Sequence, residues 1–150
     1  MKRVANGRRV LTGRIKEGTY NGSENRIQLF DGKFTTGYRI ISFKIAPASP
    51  TVSQELIAKL SSEPKSNVTT WFWDDVQDLA WAHWGTDKYQ DDFSNVREDA
   101  TVVEDLYISA YNETLDASSV NYEIILEKVE FPAWTGAGIL VENLSQGGPE

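Results

Sequence analysis

The sequence lacks several residue types and motifs, and each absence excludes a class of function. Its 150 residues include no cysteine, which rules out disulfides, thiolate nucleophiles and cysteine-based metal sites. No run approaches the ~18 apolar residues that a membrane span needs, so we expect no span. The phosphate-binding pattern G-x-x-x-x-G-K-S/T and the dinucleotide pattern G-x-G-x-x-G are both missing. We therefore expect no phosphate-binding or dinucleotide-binding loop of these kinds.

Residues for catalysis or metal binding are also scarce. The single histidine, His83, lies in a candidate strand, and the chain has no G-x-S-x-G nucleophile elbow to accompany it. One histidine without cysteine cannot assemble the usual zinc ligands. The acidic run 87–99 lacks the spacing of an EF-hand calcium loop, and no spacing selects two carboxylates for glycoside hydrolysis. We predict no catalytic residue, no metal site and no enzymatic activity.

The charge is polarised along the chain. Residues 1–44 carry ten Lys/Arg and three Asp/Glu, whereas residues 45–150 carry five and nineteen. Residues 1–16 contain no acid and six basic residues, which are Lys2, Arg3, Arg8, Arg9, Arg14 and Lys16. Such an asymmetry is typical of a tail that meets nucleic acid or an acidic partner surface. We interpret residues 1–16 as a basic N-terminal arm; the alternative is a fraying terminus whose charge serves solubility.

The segment YRIISFKI, residues 38–45, has the alternation of a β-strand. Ile41, Phe43 and Ile45 fall together on one wholly apolar face. We expect this face to pack against the core.

Similar alternation recurs in TVVEDLYISAYN (101–112) and NYEIILEKVEF (121–131), and the chain offers seven or eight strand candidates in all. Short strands between Gly/Pro/Asp/Asn/Ser connectors predict an all-β fold, a β-sandwich of jelly-roll type, with at most one short helix. We place that helix at VSQELIAKL (52–60), where helical and strand periods fit equally well. We assign the sandwich domain to residues 17–144 and a flexible polar tail to residues 145–150.

The stretch WFWDDVQDLAWAHW, residues 71–84, holds four of the five tryptophans. If its second half is a strand, Trp81 and Trp84 point to opposite faces and cannot form one platform. A helix would instead place both on one packing stripe. Trp71 and Trp73 remain the pair that can form a platform. We predict that Trp71, Trp73 and Trp84 form a subunit interface or a ligand platform, and we favour core and subunit contacts over a carbohydrate platform.

Four segments carry a family resemblance: NRIQLFDGKFTTGYRIISFKIAP, DLAWAHWG, ATVVEDLYISAYN and NYEIILEKVEFPAWTGAG. Together they resemble small all-β virion proteins, capsid or capsid-associated, of tailless or marine bacteriophages. The resemblance covers about residues 26–141 and lies in strand order and composition, so no site residue is carried over. It implies a jelly-roll-like subunit that assembles in many copies into an icosahedral shell, without cofactor or enzymatic activity. The small size of the chain leaves room for a minor, pentameric or decorating role.

We therefore expect a structural protein located in the virion, which assembles as a symmetric homo-oligomer and contacts copies of itself and other virion proteins. The basic arm is expected to contact packaged nucleic acid or neighbouring subunits. The alternative is a carbohydrate-binding or receptor-binding β-sandwich module that uses its exposed tryptophans. A glycosidase acting through two acids is a third and less favoured hypothesis.

Overall fold

The computed structural model describes most of the chain between residues 2 and 131. The described residues are 2–15, 25–29, 32, 35–49, 51, 54–64, 71–85, 93–97, 99–112 and 119–131, with the strand but not the side chains for 2–6. The predicted tail, 145–150, and the start of the predicted sandwich domain, residue 17, lie outside them. Within the described ranges we find no helix of the length and apolarity needed to cross a membrane.

The regular structure of the described residues is all β. Its eight strands are β1 (Lys2–Ile15), β2 (Arg26–Ile27), β3 (Thr36–Pro47), β4 (Glu55–Ser61), β5 (Asp78–Gly85), β6 (Phe93–Val96), β7 (Leu106–Asn112) and β8 (Val120–Glu130). They form two antiparallel sheets, with strand orders β1-β8-β3 and β2-β7-β4-β5-β6. The prediction of an all-β fold with seven or eight strands is confirmed.

The two sheets share one core. Strand β3 of the first sheet lies against β4, β5 and β6 of the second sheet. The buried side chains that meet between the sheets include Phe43, Ile124 and Leu126 of the first and Leu56, Leu60 and Ile108 of the second. Burial of one such side chain contributes about 1.5–3 kcal/mol. This shared apolar layer is therefore the main force that holds the sheets together.

Strand β3 departs from simple alternation at a β-bulge. Its register to β8 shifts between Ile40 and Ser42. Ile40 is consequently buried on the core side with Phe43, whereas Ile41 is 39% exposed. The prediction that Ile41 shares the core face with Phe43 is wrong, because an extra residue reverses the phase of a period of two.

The short helix predicted at 52–60 is wrong as well, because residues Glu55–Ser61 form strand β4. This strand lies between β5 and β7, so both of its edges are hydrogen-bonded. Leu56, Ala58 and Leu60 are fully buried in the core. All three side chains can face the core only if the segment is a β-strand, in which every second residue lies on the same face. Burial between the sheets thus decides between two periods that fit the sequence equally well.

The basic segment 1–16 belongs largely to the first sheet. Strand β1 pairs with β8 from Lys2 to Ile15, with an irregularity between Arg3 and Arg8. It lies at one edge of that sheet. The basic side chains from Arg8 onward are therefore carried on an edge strand.

The two-residue strand β2 is fixed to β7 by the carboxylate of Asp105. Arg26 Nε donates to Asp105 Oδ2 at 2.6 Å, and the main-chain nitrogen of Leu29 donates to Oδ1 at 3.0 Å. Asp105 is 5% exposed. A buried carboxylate is stable only when it is paired and hydrogen-bonded. These contacts therefore hold the chain at the β2 edge of the second sheet.

Candidate functional site

Strand β5 separates Trp81 from Trp84. Trp81 lies opposite Lys59 of β4 on the outer face of the second sheet, and Trp84 lies opposite the core residue Leu56. Trp84 packs against the core. The prediction that the two tryptophans point apart on a strand is confirmed, and the alternative helical stripe is wrong.

A second layer covers part of this outer face. The ring of Trp73, in the turn before β5, stacks on Trp81 with 5.3 Å between the ring centroids and 24° between the planes. Trp81 is consequently 2% exposed although it points away from the core, while Trp73 is 50% exposed. Such aromatic pairs contribute roughly 0.5–1.5 kcal/mol beyond the burial of their area. The ring of Trp73 is therefore held in place by Trp81 and is half exposed to solvent.

Phe93 extends this layer from β6. It pairs with His83 across the β5–β6 ladder, which directs its side chain to the outer face. Its ring stacks on Trp73 at 5.9 Å and 22°, and on Trp71 at 6.2 Å and 29°. We call Trp71, Trp73, Trp81 and Phe93 the aromatic stack. Phe93 is 37% exposed, so it forms the solvent side of the stack together with Trp73.

Arg97, the residue after β6, holds the backbone of the stack. Its Nη2 donates to the main-chain oxygens of Trp73 at 2.6 Å and Asp75 at 3.1 Å, and its Nε donates to that of Asp78 at 3.1 Å. The guanidinium carbon also lies 5.7 Å from the ring centroid of Trp81, within cation–π range. Hydrogen bonds from a charged donor contribute about 1.5–3 kcal/mol. Arg97 therefore fixes the turn that carries Trp73.

Asp75 shapes the same turn from within. Its Oδ1 accepts a hydrogen bond from the main-chain nitrogen of Gln77 at 3.0 Å, and its own nitrogen donates to the oxygen of Phe72 at 3.1 Å. The Asp75 side chain is fully buried. Aspartate stabilises turns through such bonds to nearby backbone. The sequence WFWDDVQ thus forms a tight turn with Trp73 at its surface.

A buried ion pair lies beside the aromatic stack. Lys59 Nζ is 3.5 Å from Asp78 Oδ2, and the two side chains are 1% and 0% exposed. Lys59 neighbours Trp81 across the β4–β5 ladder. Charges this deeply buried persist only when they are paired, because each alone loses its hydration without compensation. Part of the outer face of the second sheet is therefore buried, separately from the core between the two sheets.

His83 stands on the same face as the stack. Its Nε2 lies 2.9 Å from Glu55 Oε2, and both side chains are partly exposed. Among the described residues no group of three or more His, Cys, Asp or Glu side chains is placed to hold a metal. The contact with Glu55 gives His83 a fixed position next to Phe93.

The basic contact residues predicted from the sequence lie on the other sheet. Three of the six have described side chains and all three are exposed, namely Arg8, Arg9 and Arg14. Lys2 and Arg3 lie in β1 without described side chains, and Lys16 lies outside the described residues. Arg8 and Arg14 lie on the outer face of the first sheet, whereas Arg9 is paired with the core residue Leu126 and lies on the other face of β1. The aromatic stack lies on the outer face of the second sheet.

Acidic residues of β8 lie between basic residues on the outer face of the first sheet. Arg8 of β1 lies opposite Glu127, and Glu127 lies opposite Arg39 of β3. Glu123 similarly lies opposite Lys44. Opposite charges directly across a ladder contribute roughly 0.2–1 kcal/mol. This face consequently presents both signs of charge.

The predicted platform residues are only partly brought together. Trp71 and Trp73 meet through Phe93, whereas Trp84 is on the core side of β5. Phe93 was not predicted, because the acidic run 87–99 in which it lies was considered only as a possible calcium loop. Its place in the stack depends on the β5–β6 register, which has no local signal.

Comparisons of the chain with protein-family models, with curated proteins and with solved structures find no match. A function for this protein is therefore argued from its fold and from the chemistry of these two faces.

Proposed function

We propose that this protein is a structural subunit of a virus particle, capsid or capsid-associated, which assembles as a symmetric homo-oligomer. Its architecture in this proposal is a β-sandwich of jelly-roll type, which is common among viral capsid domains. The observation that carries the proposal is the set of strand pairs. The virion is the corresponding location.

A jelly roll is a long antiparallel hairpin rolled into two sheets. Its first strand pairs with the eighth, the second with the seventh, the third with the sixth and the fourth with the fifth. In this chain β1 pairs with β8, β2 with β7 and β4 with β5. The first two pairs join strands far apart in sequence, which a simple succession of hairpins would not produce. These three ladders support the jelly-roll assignment.

The remaining pair departs from that order. Strand β6 pairs with β5 at the edge of the second sheet, whereas a jelly roll would pair it with β3. The two strands nevertheless touch, and Ser94 Oγ of β6 donates to the main-chain oxygen of Phe43 in β3 at 2.5 Å. We interpret β6 as the sixth jelly-roll strand, which here pairs with β5 at the edge of the second sheet instead of with β3.

The outer face of the first sheet supports assembly between copies. Its centre is apolar, with Val10 54% exposed and paired to Ile125, and with Ile41 39% exposed on the bulge of β3. Cross-strand charges such as Arg8 and Glu127 border this centre. An apolar centre with a polar rim is typical of protein interfaces. We call Val10, Ile41, Ile125 and the bordering charged residues the assembly face.

The mixed charges of the assembly face favour a protein partner over nucleic acid. Glu127 lies between Arg8 of β1 and Arg39 of β3, and Glu123 lies opposite Lys44 of β3. A phosphate backbone laid across this sheet would therefore meet two carboxylates, which oppose its binding. A second copy related by a two-fold axis can instead match each basic residue with an acidic one.

Light scattering after size exclusion tests the proposal directly. The purified chain should elute as a discrete oligomer whose mass is a fixed multiple of 16.9 kDa over a wide range of concentration. Moderate salt should shift the equilibrium, because rim charges are screened. A monomer at every concentration, pH and salt tested would contradict the proposal.

A further inference from the structure

The aromatic stack is not used by the assembly face, because it lies on the outer face of the other sheet. Among the large apolar side chains that are exposed in the described residues, two belong to this stack, Trp73 and Phe93. Their rings lie 5.9 Å apart and 22° from parallel. The two rings stack on each other, and the parts of Trp73 and Phe93 that remain exposed form one apolar surface.

We propose that Trp73 and Phe93 form a binding platform for a neutral oligosaccharide. The C–H face of a pyranose ring is apolar and flat, and it packs on an aromatic face. The sugar hydroxyl groups at its edge remain free to donate hydrogen bonds to the side chains around the platform. This binding activity is additional to the proposed assembly and does not depend on it.

The platform is held rigid before any ligand arrives. Trp81 supports the Trp73 ring from below at 5.3 Å, and Arg97 holds the main-chain oxygen of Trp73 at 2.6 Å. Trp71 supports Phe93 at 6.2 Å. A surface that is fixed in advance loses little conformational entropy on binding. The arrangement therefore suits a small ligand that offers few contacts.

The exposed area of the platform matches a small ligand. With Trp73 50% and Phe93 37% exposed, and aromatic side chains of 150–250 Å², their open area is roughly 200 Å². The described apolar surface is thus comparable to one or two sugar rings.

The charge beside the platform indicates a neutral ligand. Asp74 directly follows Trp73 and is exposed, and Asn95 shares the outer face of β6 with Phe93. A carboxylate accepts strong hydrogen bonds from hydroxyl groups. The Arg97 guanidinium, which donates to the main-chain oxygen of Trp73, carries the opposite charge, so the charges beside the platform favour neither an anionic nor a cationic ligand. Neutral oligosaccharides fit both the aromatic faces and the polar groups beside them.

A glycan array that carries neutral and sialylated oligosaccharides is the first test, followed by calorimetric titration with cellotriose, chitotriose and maltotriose. We expect binding to neutral glycans and saturable binding of at least one of these trisaccharides. Trp73→Ala and Phe93→Ala should each weaken that binding at least tenfold, and Asp74→Asn should weaken it several-fold. Val10→Ala, on the other sheet, should leave it unchanged.

Trp73→Ala also uncovers Trp81 and could disturb the fold, so Trp73→Phe is the second variant. It keeps a supporting ring but presents a smaller face, and a loss of about threefold or more is expected with an unchanged circular dichroism spectrum. No neutral glycan bound at millimolar concentration, or binding unaffected by all three aromatic variants, would overturn the proposal. The proposal would also be overturned if the variants changed the mass of the oligomer and left sugar binding unchanged, because the stack would then be a subunit contact.

Discussion

The guanidinium group of Arg97 donates to the main-chain oxygen of Trp73 at 2.6 Å and ties the exposed tryptophan to the β5–β6 hairpin. On the other side of the same residue, the Trp73 ring rests on the buried ring of Trp81. Backbone and side chain are thus fixed separately. This double attachment distinguishes Trp73 from a tryptophan that is merely exposed.

Replacing Arg97 with alanine should lower the free energy of unfolding by about 1.5–3 kcal/mol, because three main-chain oxygens lose a charged donor. Lysine should restore only part of this, since one ammonium group cannot span the three acceptors. Urea denaturation followed by circular dichroism measures the change. The control is Arg14→Ala on exposed β1, which should change stability by less than about 0.5 kcal/mol. Equal losses at Arg97 and Arg14 would contradict the role given to Arg97.

Removal of one partner of the buried ion pair should be costly, and removal of both should be far less so. Asp78→Ala leaves Lys59 buried without its carboxylate and should destabilise the protein by about 3–5 kcal/mol. Adding Lys59→Met should recover much of that loss, because the buried charge is then gone. A double-mutant cycle in urea measures the coupling. If the double variant is as unstable as Asp78→Ala alone, the claim that Asp78 stabilises the buried charge of Lys59 is contradicted.

Tyr122 should make the fold sensitive to alkaline pH. Its ring lies across the β1–β8 ladder from Gly13, and burial raises its pKa above the usual value of about 10. The folded state therefore holds the phenolic proton more tightly than the unfolded chain. Its contribution to stability is complete below about pH 10 and is lost as the pH rises through the raised pKa.

The measurement for Tyr122 is Tm from pH 8 to pH 11.5, compared with the Tyr122→Phe variant. The wild type should lose more Tm than the variant in the upper part of this range. Identical pH profiles for the two proteins would show that Tyr122 ionisation does not contribute.

Much of the fold could be predicted because its strands are amphipathic. The alternation in 121–131 correctly separates Ile124 and Leu126, which enter the core, from Glu123 and Glu127. The errors arise where the local pattern depends on distant contacts. The bulge at Ile41 reverses the phase of β3, and the sequence does not reveal which of the adjacent Ile40 and Ile41 enters the core.

The aromatic site was predictable in part for the same reason. Strand alternation separates Trp81 from Trp84 without any knowledge of the fold. Phe93 and Arg97 could not be found in this way, because they reach the stack through the β5–β6 hairpin and through bonds to backbone oxygens. Neither the register of a hairpin nor the acceptor of an arginine is encoded in local periodicity.

A charge at the centre of the assembly face should prevent self-association. Val10→Asp places a carboxylate on a site that assembly would bury, and an unpaired buried charge is strongly unfavourable. The variant should be a folded monomer under conditions in which the wild type is oligomeric, as measured by light scattering. Trp73→Phe, on the other sheet, is the control and should keep the wild-type mass. An oligomer that tolerates Val10→Asp would exclude this face.

Neutralising the exposed arginines of β1 should weaken assembly and have little effect on nucleic-acid binding. The variant combines Arg8→Gln and Arg14→Gln, the two exposed arginines that β1 contributes to the outer face of the first sheet. Light scattering reports assembly, and fluorescence anisotropy with a labelled DNA duplex over a range of salt reports nucleic-acid binding. If these two arginines contacted phosphates, the slope of log K against log salt would fall by up to about two in the variant. A reduced salt slope together with unchanged assembly would show that these arginines contact nucleic acid and not a neighbouring subunit.

Negative-stain electron microscopy of the purified chain tests the central claim most directly. If the protein is a jelly-roll subunit of a virus particle, its images should contain closed particles or rings whose class averages have rotational symmetry. The Val10→Asp variant should abolish them. A uniform field of single small particles at every concentration, pH and salt would contradict the account.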